Sequence, residues 1–182
     1  PLDRDALRER YRQERDKRLR PDGNDQYREP TGRFAHLLDD PYTPPVERDP
    51  VHDHVTVALI GGGFAGLTTG ARLKEAGVES VRIIEGGGDV GGVWYWNRYP
   101  GARVDLPSID YSFAFPEIQQ EWTWSEYFAA QPELMRYFDF VARRLDLRRS
   151  FQFDTRVTRA EWDDARRVWV VTTSRGETWE AP

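Results

Sequence analysis

The sequence contains no cysteine, one methionine and three histidines among its 182 residues. The lack of cysteine excludes disulfides, a thiolate nucleophile and cysteine-ligated zinc, and it fits a cytoplasmic protein. No apolar run approaches the ~18 residues of a membrane span, and the charged start of the chain holds no apolar signal segment. The net charge of −5 disfavours binding to nucleic acid or to an anionic membrane. This composition indicates one domain of ordinary size.

The first 54 residues lack the pattern of a buried core. Residues 3–20 are mostly charged and predict a surface helix, whereas residues 21–54 are rich in proline and glycine and predict an irregular segment that wraps over the surface. His52 and His54 flank Asp53 there, but no third metal ligand is evident, so we expect no metal site. We predict an N-terminal helical arm with this wrapping segment over 1–54 and a partial nucleotide-binding domain over 55–182.

The regular pattern begins with a β-branched apolar run over 55–60, as in a strand that is buried on both faces. A helical pattern over 64–76 and a second apolar run over 81–84 complete one βαβ unit. A further amphipathic helix is predicted over 131–147. Three antiparallel strands are predicted after it, over 151–162, 168–173 and 178–179. The fold class is therefore α/β with a three-stranded antiparallel meander, and it is incomplete because no strand returns to the parallel sheet after the meander.

The junction between the first strand and its helix matches G-x-G-x-x-G at Gly61, Gly63 and Gly66. The first glycine permits the tight turn, the second lets a pyrophosphate approach the backbone, and the third lets helix and strand pack closely. The helix N-terminus then offers free N–H groups to the phosphates. Gly62 is not required by this motif. The context predicts a Rossmann-like dinucleotide site.

An acidic residue, Glu85, follows the second strand, 19 positions after Gly66. A carboxylate at this interval accepts hydrogen bonds from the ribose hydroxyls and repels a 2′-phosphate. The site therefore favours FAD or NAD over NADP.

Two more glycine clusters, 86–88 and 91–92, come directly after this acid. They suggest backbone lying against the cofactor, which a flavin requires and NAD does not. Aromatic residues are dense beyond them, with 14 of the 24 in the chain between 94 and 140, and most are expected in the core. Arg98, Arg103 and Asp105 are the polar residues of this otherwise apolar stretch. One interpretation is a structural salt bridge in a loop. The other places Asp105 in the cofactor crevice, where its carboxylate could anchor a catalytic cation.

These motifs resemble flavin-containing Baeyer–Villiger monooxygenases. The resemblance covers about residues 55–180 and rests on the glycine turn, Glu85, the run Trp-Tyr-Trp-Asn-Arg-Tyr-Pro-Gly within 91–105, and the stretches 108–112, 120–126 and 131–133. The arm, with Asp40-Pro41-Tyr42, is similar to the family members with a long N-terminal extension. The resemblance implies a match to the N-terminal part of the FAD-binding domain.

The resemblance also implies roles for individual residues. The pyrophosphate of FAD would contact the glycine turn, and Glu85 would bind the adenosine ribose. The other expected contacts of FAD or of the nicotinamide of NADPH are Gly92, Val93, Trp94, Trp96, Arg103, Val104, Asp105, Tyr111 and Val157, in addition to Gly61, Gly63, Phe64, Ala65 and Gly66 in the turn. Asp105 is the one expected catalytic residue, because in this family it orients a catalytic arginine.

The implied activity is that of an NADPH- and O2-dependent flavoprotein that converts ketones to esters or lactones. The catalytic arginine and the second glycine motif, which binds NADPH in this family, are not in the chain. We therefore expect a fragment that is inactive alone and works with the remainder of the enzyme chain. A related N-hydroxylating flavin monooxygenase and a non-catalytic nucleotide-binding module remain as alternatives.

Overall fold

A computed structural model describes residues 3–182, so the first two residues of the predicted arm lie outside it. In chain order the elements are α1 Arg4–Asp16, β1 His52–His54, β2 Val57–Ile60, α2 Phe64–Glu75, β3 Val81–Ile84, α3 Val93–Trp96, α4 Pro116–Glu121, α5 Gln131–Arg144, β4 Phe151–Gln152, β5 Val157–Asp163, β6 Val168–Thr173 and β7 Thr178–Ala181. The chain forms two compact units, Pro1–Asp39 and Asp40–Pro182. The domain boundary predicted after residue 54 stays a prediction.

The first unit contains helix α1 and two short 3-10 helices, Gly23–Gln26 and Gly32–Leu38, and none of these elements has a buried residue. The carboxylate of Asp3 caps α1 by accepting from the backbone N–H groups of Asp5 and Ala6, both at 3.0 Å. The helix predicted over 3–20 is therefore present. The segment after it is less irregular than the sequence predicted, because local i+3 hydrogen bonds form two turns there.

The second unit is built on a parallel sheet with the strand order β2-β3-β4. Helix α2 connects β2 to β3, so the predicted βαβ unit and the α/β fold class are confirmed. Leu67 of α2, Ile83 of β3 and Phe138 of α5 are completely buried in one shared cluster. These contacts fix α2 and α5 against the sheet, and they hold the start of α2 beside the end of β2.

Strand β4 corrects the prediction of one long strand over 151–162. Phe151 and Gln152 pair in parallel with Ile83 and Ile84, and antiparallel pairing with β6 starts only at Val157. Asp154 separates the two strands with a φ of +51°, a left-handed conformation that asparagine and aspartate adopt more readily than most residues. The third parallel strand therefore precedes the meander, and no strand within residues 3–182 joins the parallel sheet after β7.

A second sheet has the strand order β1-β7-β6-β5. Strands β5, β6 and β7 form the predicted antiparallel meander. Strand β1, which the sequence placed in the irregular segment, pairs in parallel with β7 through the register His52 to Thr178. The chain then passes from this sheet into β2 at Val55, which is buried and donates its N–H to the carbonyl of Glu180 at 2.9 Å.

Candidate functional site

The glycine turn (residues 61–66) joins β2 to α2. Gly61 has a φ of +102°, a conformation that L side chains rarely adopt, and its N–H donates to the carbonyl of Ile84 at 2.8 Å. A Cβ on Gly66 would lie 2.0 Å from the carbonyl oxygen of Gly61, so only glycine fits at this position. Helix α2 starts at Phe64 without a side-chain cap. Its first N–H groups, which have no acceptor within the helix, are therefore available to an anion.

The second glycine loop (residues 86–92) lies directly against the glycine turn. The N–H of Gly91 donates to the carbonyl of Gly62 at 3.0 Å. A Cβ on Gly92, which has a φ of +55°, would lie 2.9 Å from the Cα of Gly63. The two backbones therefore meet without side chains between them, as expected where both approach one extended ligand.

Glu85 lies between these two segments at the end of β3. One carboxylate oxygen accepts from the N–H of Gly62 at 2.5 Å, and the other accepts from the N–H of Gly87 at 2.7 Å. Only 5% of the residue is exposed. A carboxylate has about four acceptor positions, so its remaining lone pairs suit hydroxyl donors such as those of a ribose. The carboxylate therefore faces the glycine turn, and its binding of a ribose stays a prediction.

Gly62 corrects the sequence analysis, which did not require glycine there. A Cβ at this position would lie 2.9 Å from the ring of Phe151 and 3.0 Å from the carboxylate of Glu85. Phe151 belongs to β4, which the sequence did not place in the parallel sheet. The steric reason for this glycine was therefore hidden until the third strand was known.

Four of the predicted site residues meet beside α2. The ring of Phe64 packs edge-on against Tyr111 with the centroids 4.9 Å apart, and the indole N–H of Trp94 donates to the hydroxyl of Tyr111 at 2.9 Å. Val104 is buried in a cluster against which Trp94 and Tyr111 pack. The side chain of Phe64 thus serves the core, which leaves its backbone N–H for the glycine turn.

The remaining apolar candidates are more scattered. Val93 follows Gly92 on α3 and is 62% exposed, and Ala65 is exposed in the first turn of α2. Trp96 is half-buried, with its ring 5.1 Å from that of Tyr95. Val157 packs against the cluster that contains Ile84. The described contacts do not link Trp96 or Val157 to the glycine turn, so their contact with a cofactor stays a prediction.

The polar residues of this stretch do not pair with one another. Arg103 donates to the carboxylate of Glu126 at 3.1 Å, and Arg98 donates to the carbonyl of Tyr95 at 2.8 Å. Asp105 is exposed and forms no ion pair or hydrogen bond with any residue in 3–182. The salt-bridge alternative therefore holds for Arg103, with a partner that the sequence did not suggest. The carboxylate of Asp105 is available to a cation.

The sequence analysis named Asp40 only for the resemblance of the arm and did not predict its contacts in this region. Its carboxylate accepts from the N–H of Gly88 at 3.0 Å and from the hydroxyl of Tyr95. Burial alone would raise the pKa of Asp40. The hydrogen bonds from Tyr95 and from the backbone of Tyr42, Gly88 and Thr43 lower the pKa by more than burial raises it, so the net pKa falls below the usual value. The local bonds to Tyr42 and Thr43 follow from the usual aspartate turn. The bonds to Gly88 and Tyr95 had no sequence signal.

A groove lined by aromatic residues lies apart from the glycine turn. It has a volume of about 580 Å³ and contains none of the predicted site residues. Trp122, Trp124 and Tyr137 form part of its wall.

No group of three potential metal ligands occurs within residues 3–182, and His52 instead contacts the hydroxyl of Thr178 at 2.7 Å. No helix in the same range is long and apolar enough to cross a membrane.

Comparison with known proteins shows which proteins this chain is similar to. A family model described as an NAD(P)-binding Rossmann-like domain matches residues 59–128. Among curated proteins, the chain is 43% identical over 177 residues to neopentalenolactone D synthase of Streptomyces avermitilis, covering 97% of this chain and 30% of the relative. It is also 43% identical over 183 residues to a Baeyer–Villiger monooxygenase of Streptomyces coelicolor, covering 97% of this chain and 29% of the relative.

Solved structures agree with these relatives. An oxidized steroid monooxygenase bound to NADP is 51% identical, with a TM-score of 0.68 over 70% of this chain and 25% of that one. A complex of OTEMO with FAD and NADP is 41% identical, with a TM-score of 0.66 over 74% of this chain and 25% of that one. The resemblance that the motifs indicated is confirmed: the chain matches one segment of Baeyer–Villiger monooxygenases, and it spans about 30% of the length of these curated relatives.

Proposed function

We propose that this chain is the FAD-binding part of a longer NADPH- and O2-dependent flavin monooxygenase that converts ketones to esters or lactones. One observation carries the proposal: Glu85 joins the glycine turn to the second glycine loop through the N–H groups of Gly62 and Gly87. This is the place where a diphosphate and its ribose would lie together. The family relationship supplies the ketone and O2 as expected small-molecule substrates, and the use of NADPH fits a cytoplasmic enzyme.

The residues present fit FAD. The N–H groups at the start of α2 would bind the diphosphate, and Glu85 would bind the ribose and disfavour a 2′-phosphate. Further contacts are proposed for Gly92, Val93, Trp94, Trp96, Tyr111 and Val157. When bound, FAD supplies the redox chemistry, which includes accepting hydride and activating O2. The residues of this chain would bind and orient the cofactor.

The proposed role of Asp105 follows from its charge and exposure. Because its carboxylate has no described partner, it can hold a cationic side chain that another part of the enzyme supplies. Such a cation stabilises negative charge on a reacting oxygen atom. Arg103 and Val104 precede Asp105 and would border the nicotinamide of NADPH. In this proposal Asp105 acts through the cation that it positions.

The test uses the longer protein that contains this chain. We expect the purified protein to show flavin absorption, and NADPH consumption to rise when a cyclic ketone is added, with formation of a lactone. A protein that binds no flavin would contradict the proposal. Flavin binding with hydroxylamine formation from an amine would favour the N-hydroxylating class instead. Flavin binding without turnover on either substrate class would favour a non-catalytic module.

A further inference from the structure

The Asp40 segment (residues 40–48) runs beside the second glycine loop and helix α3. The carboxylate of Asp40 has four described donors, which come from two regions of the chain. The N–H groups of Tyr42 and Thr43 donate at 2.8 and 3.3 Å, and they fix the carboxylate within its own turn. The N–H of Gly88, at 3.0 Å, and the hydroxyl of Tyr95 reach it from the region beyond Glu85. One charged group therefore connects the start of this unit to the second glycine loop and to α3.

The contact surface around Asp40 leaves little freedom. A Cβ on Gly88 would lie 2.4 Å from the side chain of Thr43, and one on Gly87 would lie 2.8 Å from the ring of Tyr95. Tyr95 is only 1% exposed, and its hydroxyl also bonds that of Thr43 at 2.7 Å. The loop thus lies between the Asp40 segment and the buried ring of Tyr95, without room for a side chain.

Aromatic and cationic contacts hold the same segment against α3. The guanidinium of Arg98 lies 3.7 Å from the ring centroid of Tyr42 and 4.9 Å from that of Tyr95. The hydroxyl of Tyr42 donates to the carbonyl of Trp96 at 3.1 Å. The Asp40 segment therefore contacts α3 through Trp96 as well as through Tyr95.

The path from Asp40 to the ribose acid is short. Gly88, which Asp40 binds, follows Gly87, whose N–H donates to Glu85 at 2.7 Å. Tyr95 lies on α3, which begins immediately after the Gly92 that touches Gly63. A displacement at Asp40 would consequently move one donor of Glu85 and the helix that carries Val93, Trp94 and Trp96.

We propose that Asp40 is a positioning residue for the flavin, which orients Glu85 and α3 through Gly88 and Tyr95. The proposal rests on the proposed FAD-binding function. It makes the irregular segment before β1 part of the cofactor site, although no residue of the glycine motif lies there. Tyr95 acts as its partner, since its hydroxyl bonds the same carboxylate oxygen as the N–H of Gly88.

The test compares Asp40→Asn and Tyr95→Phe with the wild type in the longer flavoprotein. Asparagine keeps one acceptor oxygen but loses the charge and can present an NH₂ group to the donors of Gly88 and Tyr95. We expect the apparent Kd of FAD, measured by reconstituting the apoprotein, to rise about tenfold for Asp40→Asn. The double variant should be no weaker than the weaker single variant, because both changes remove one interaction. Asp39→Asn, an exposed neighbour with the same change of charge, is the matched control and should bind FAD as the wild type does.

A spectroscopic measurement separates positioning from general stability. The visible circular dichroism of the bound flavin should change in Asp40→Asn at saturating FAD, whereas a purely structural role would lower the unfolding midpoint and leave that spectrum unchanged. An unchanged FAD Kd and flavin spectrum in a folded Asp40→Asn protein would overturn the positioning role. A wild type that binds no FAD would instead contradict the proposed function itself.

Discussion

At the scale of single residues, Glu85 shows how much of the site depends on one carboxylate. Both of its oxygens accept from backbone N–H groups that belong to different loops. A charged acceptor forms stronger hydrogen bonds than a neutral one, and a buried donor that loses its partner carries the cost of desolvation. The acid therefore shapes the site before any ligand arrives, and its substitution is expected to change both the loops and the binding of FAD.

We predict that Glu85→Gln weakens FAD binding in the longer protein by about 10- to 100-fold, because one amide donor then faces an NH₂ group instead of an oxygen. The apparent Kd of FAD, obtained by titrating the apoprotein, checks this. Glu79→Gln removes the same charge from an exposed position six residues earlier, and it should bind FAD normally. Equal Kd values for the two variants would show that the ribose assignment is wrong.

Asp105 is expected to separate cofactor binding from turnover. In the longer enzyme, Asp105→Ala should retain bound flavin while ketone oxidation falls by about 100-fold, because the cation loses the group that orients it. Flavin content and kcat with ketone and NADPH are the two measurements. Asp110→Ala, also exposed, provides the control for a lost surface carboxylate. If turnover in Asp105→Ala matches that control, Asp105 has no part in catalysis.

At the scale of elements, α2 can approach β2 only because Gly66 has no side chain. A Cβ added to Gly66 would lie 2.0 Å from the carbonyl oxygen of Gly61, which is a backbone atom and cannot rotate away. We predict that Gly66→Ala destabilises the protein by about 3 kcal/mol, which is the upper range for overpacking a core. The apparent unfolding midpoint and the flavin content should both fall.

Thr69→Ala, on an exposed position of the same helix, serves as the comparison for Gly66→Ala. Alanine favours the helix, and a surface change of this kind alters stability by about 0.5 kcal/mol or less. A midpoint for Gly66→Ala that equals the Thr69→Ala value would mean that helix and turn separate at little cost. The close packing described for this junction would then be incorrect.

At the scale of the whole molecule, the parallel sheet has an open side. Among residues 3–182, β2 has a partner strand only on its β3 side, and Ile60 at its end is 62% exposed. An unpaired edge strand favours association with another chain, and a charge at the edge opposes it. We predict that Ile60→Lys makes the isolated 182-residue chain less prone to associate, as measured by size-exclusion chromatography over a concentration series.

The control for this edge is Ile109→Lys, which places the same charge on a residue that is 75% exposed and lies outside the sheets. It should leave association as it is in the unchanged chain. Circular dichroism shows whether each chain remains folded. If both lysine variants reduce association equally, net charge rather than the strand edge is responsible.

The sequence was sufficient for the parts of the molecule that local pattern determines. The βαβ unit followed from the apolar runs and the glycine spacing, and the position of Glu85 followed from its distance to Gly66. Strand β4 was misassigned because its two residues, Phe151 and Gln152, are continuous in pattern with the strand that follows. The Asp40 contacts were not predictable, since they join residues 48 and 55 positions apart that share no periodicity.

The pairing of Glu85 with two backbone amides bears on how the nucleotide preference of such a site could be altered. Replacement of this acid by a short neutral residue would free the N–H groups of Gly62 and Gly87 at the same point. Neighbouring amide donors of that kind form a small anion-binding hollow. We therefore expect such a variant to discriminate less strongly against a 2′-phosphate, because the two freed amide groups could then donate to it.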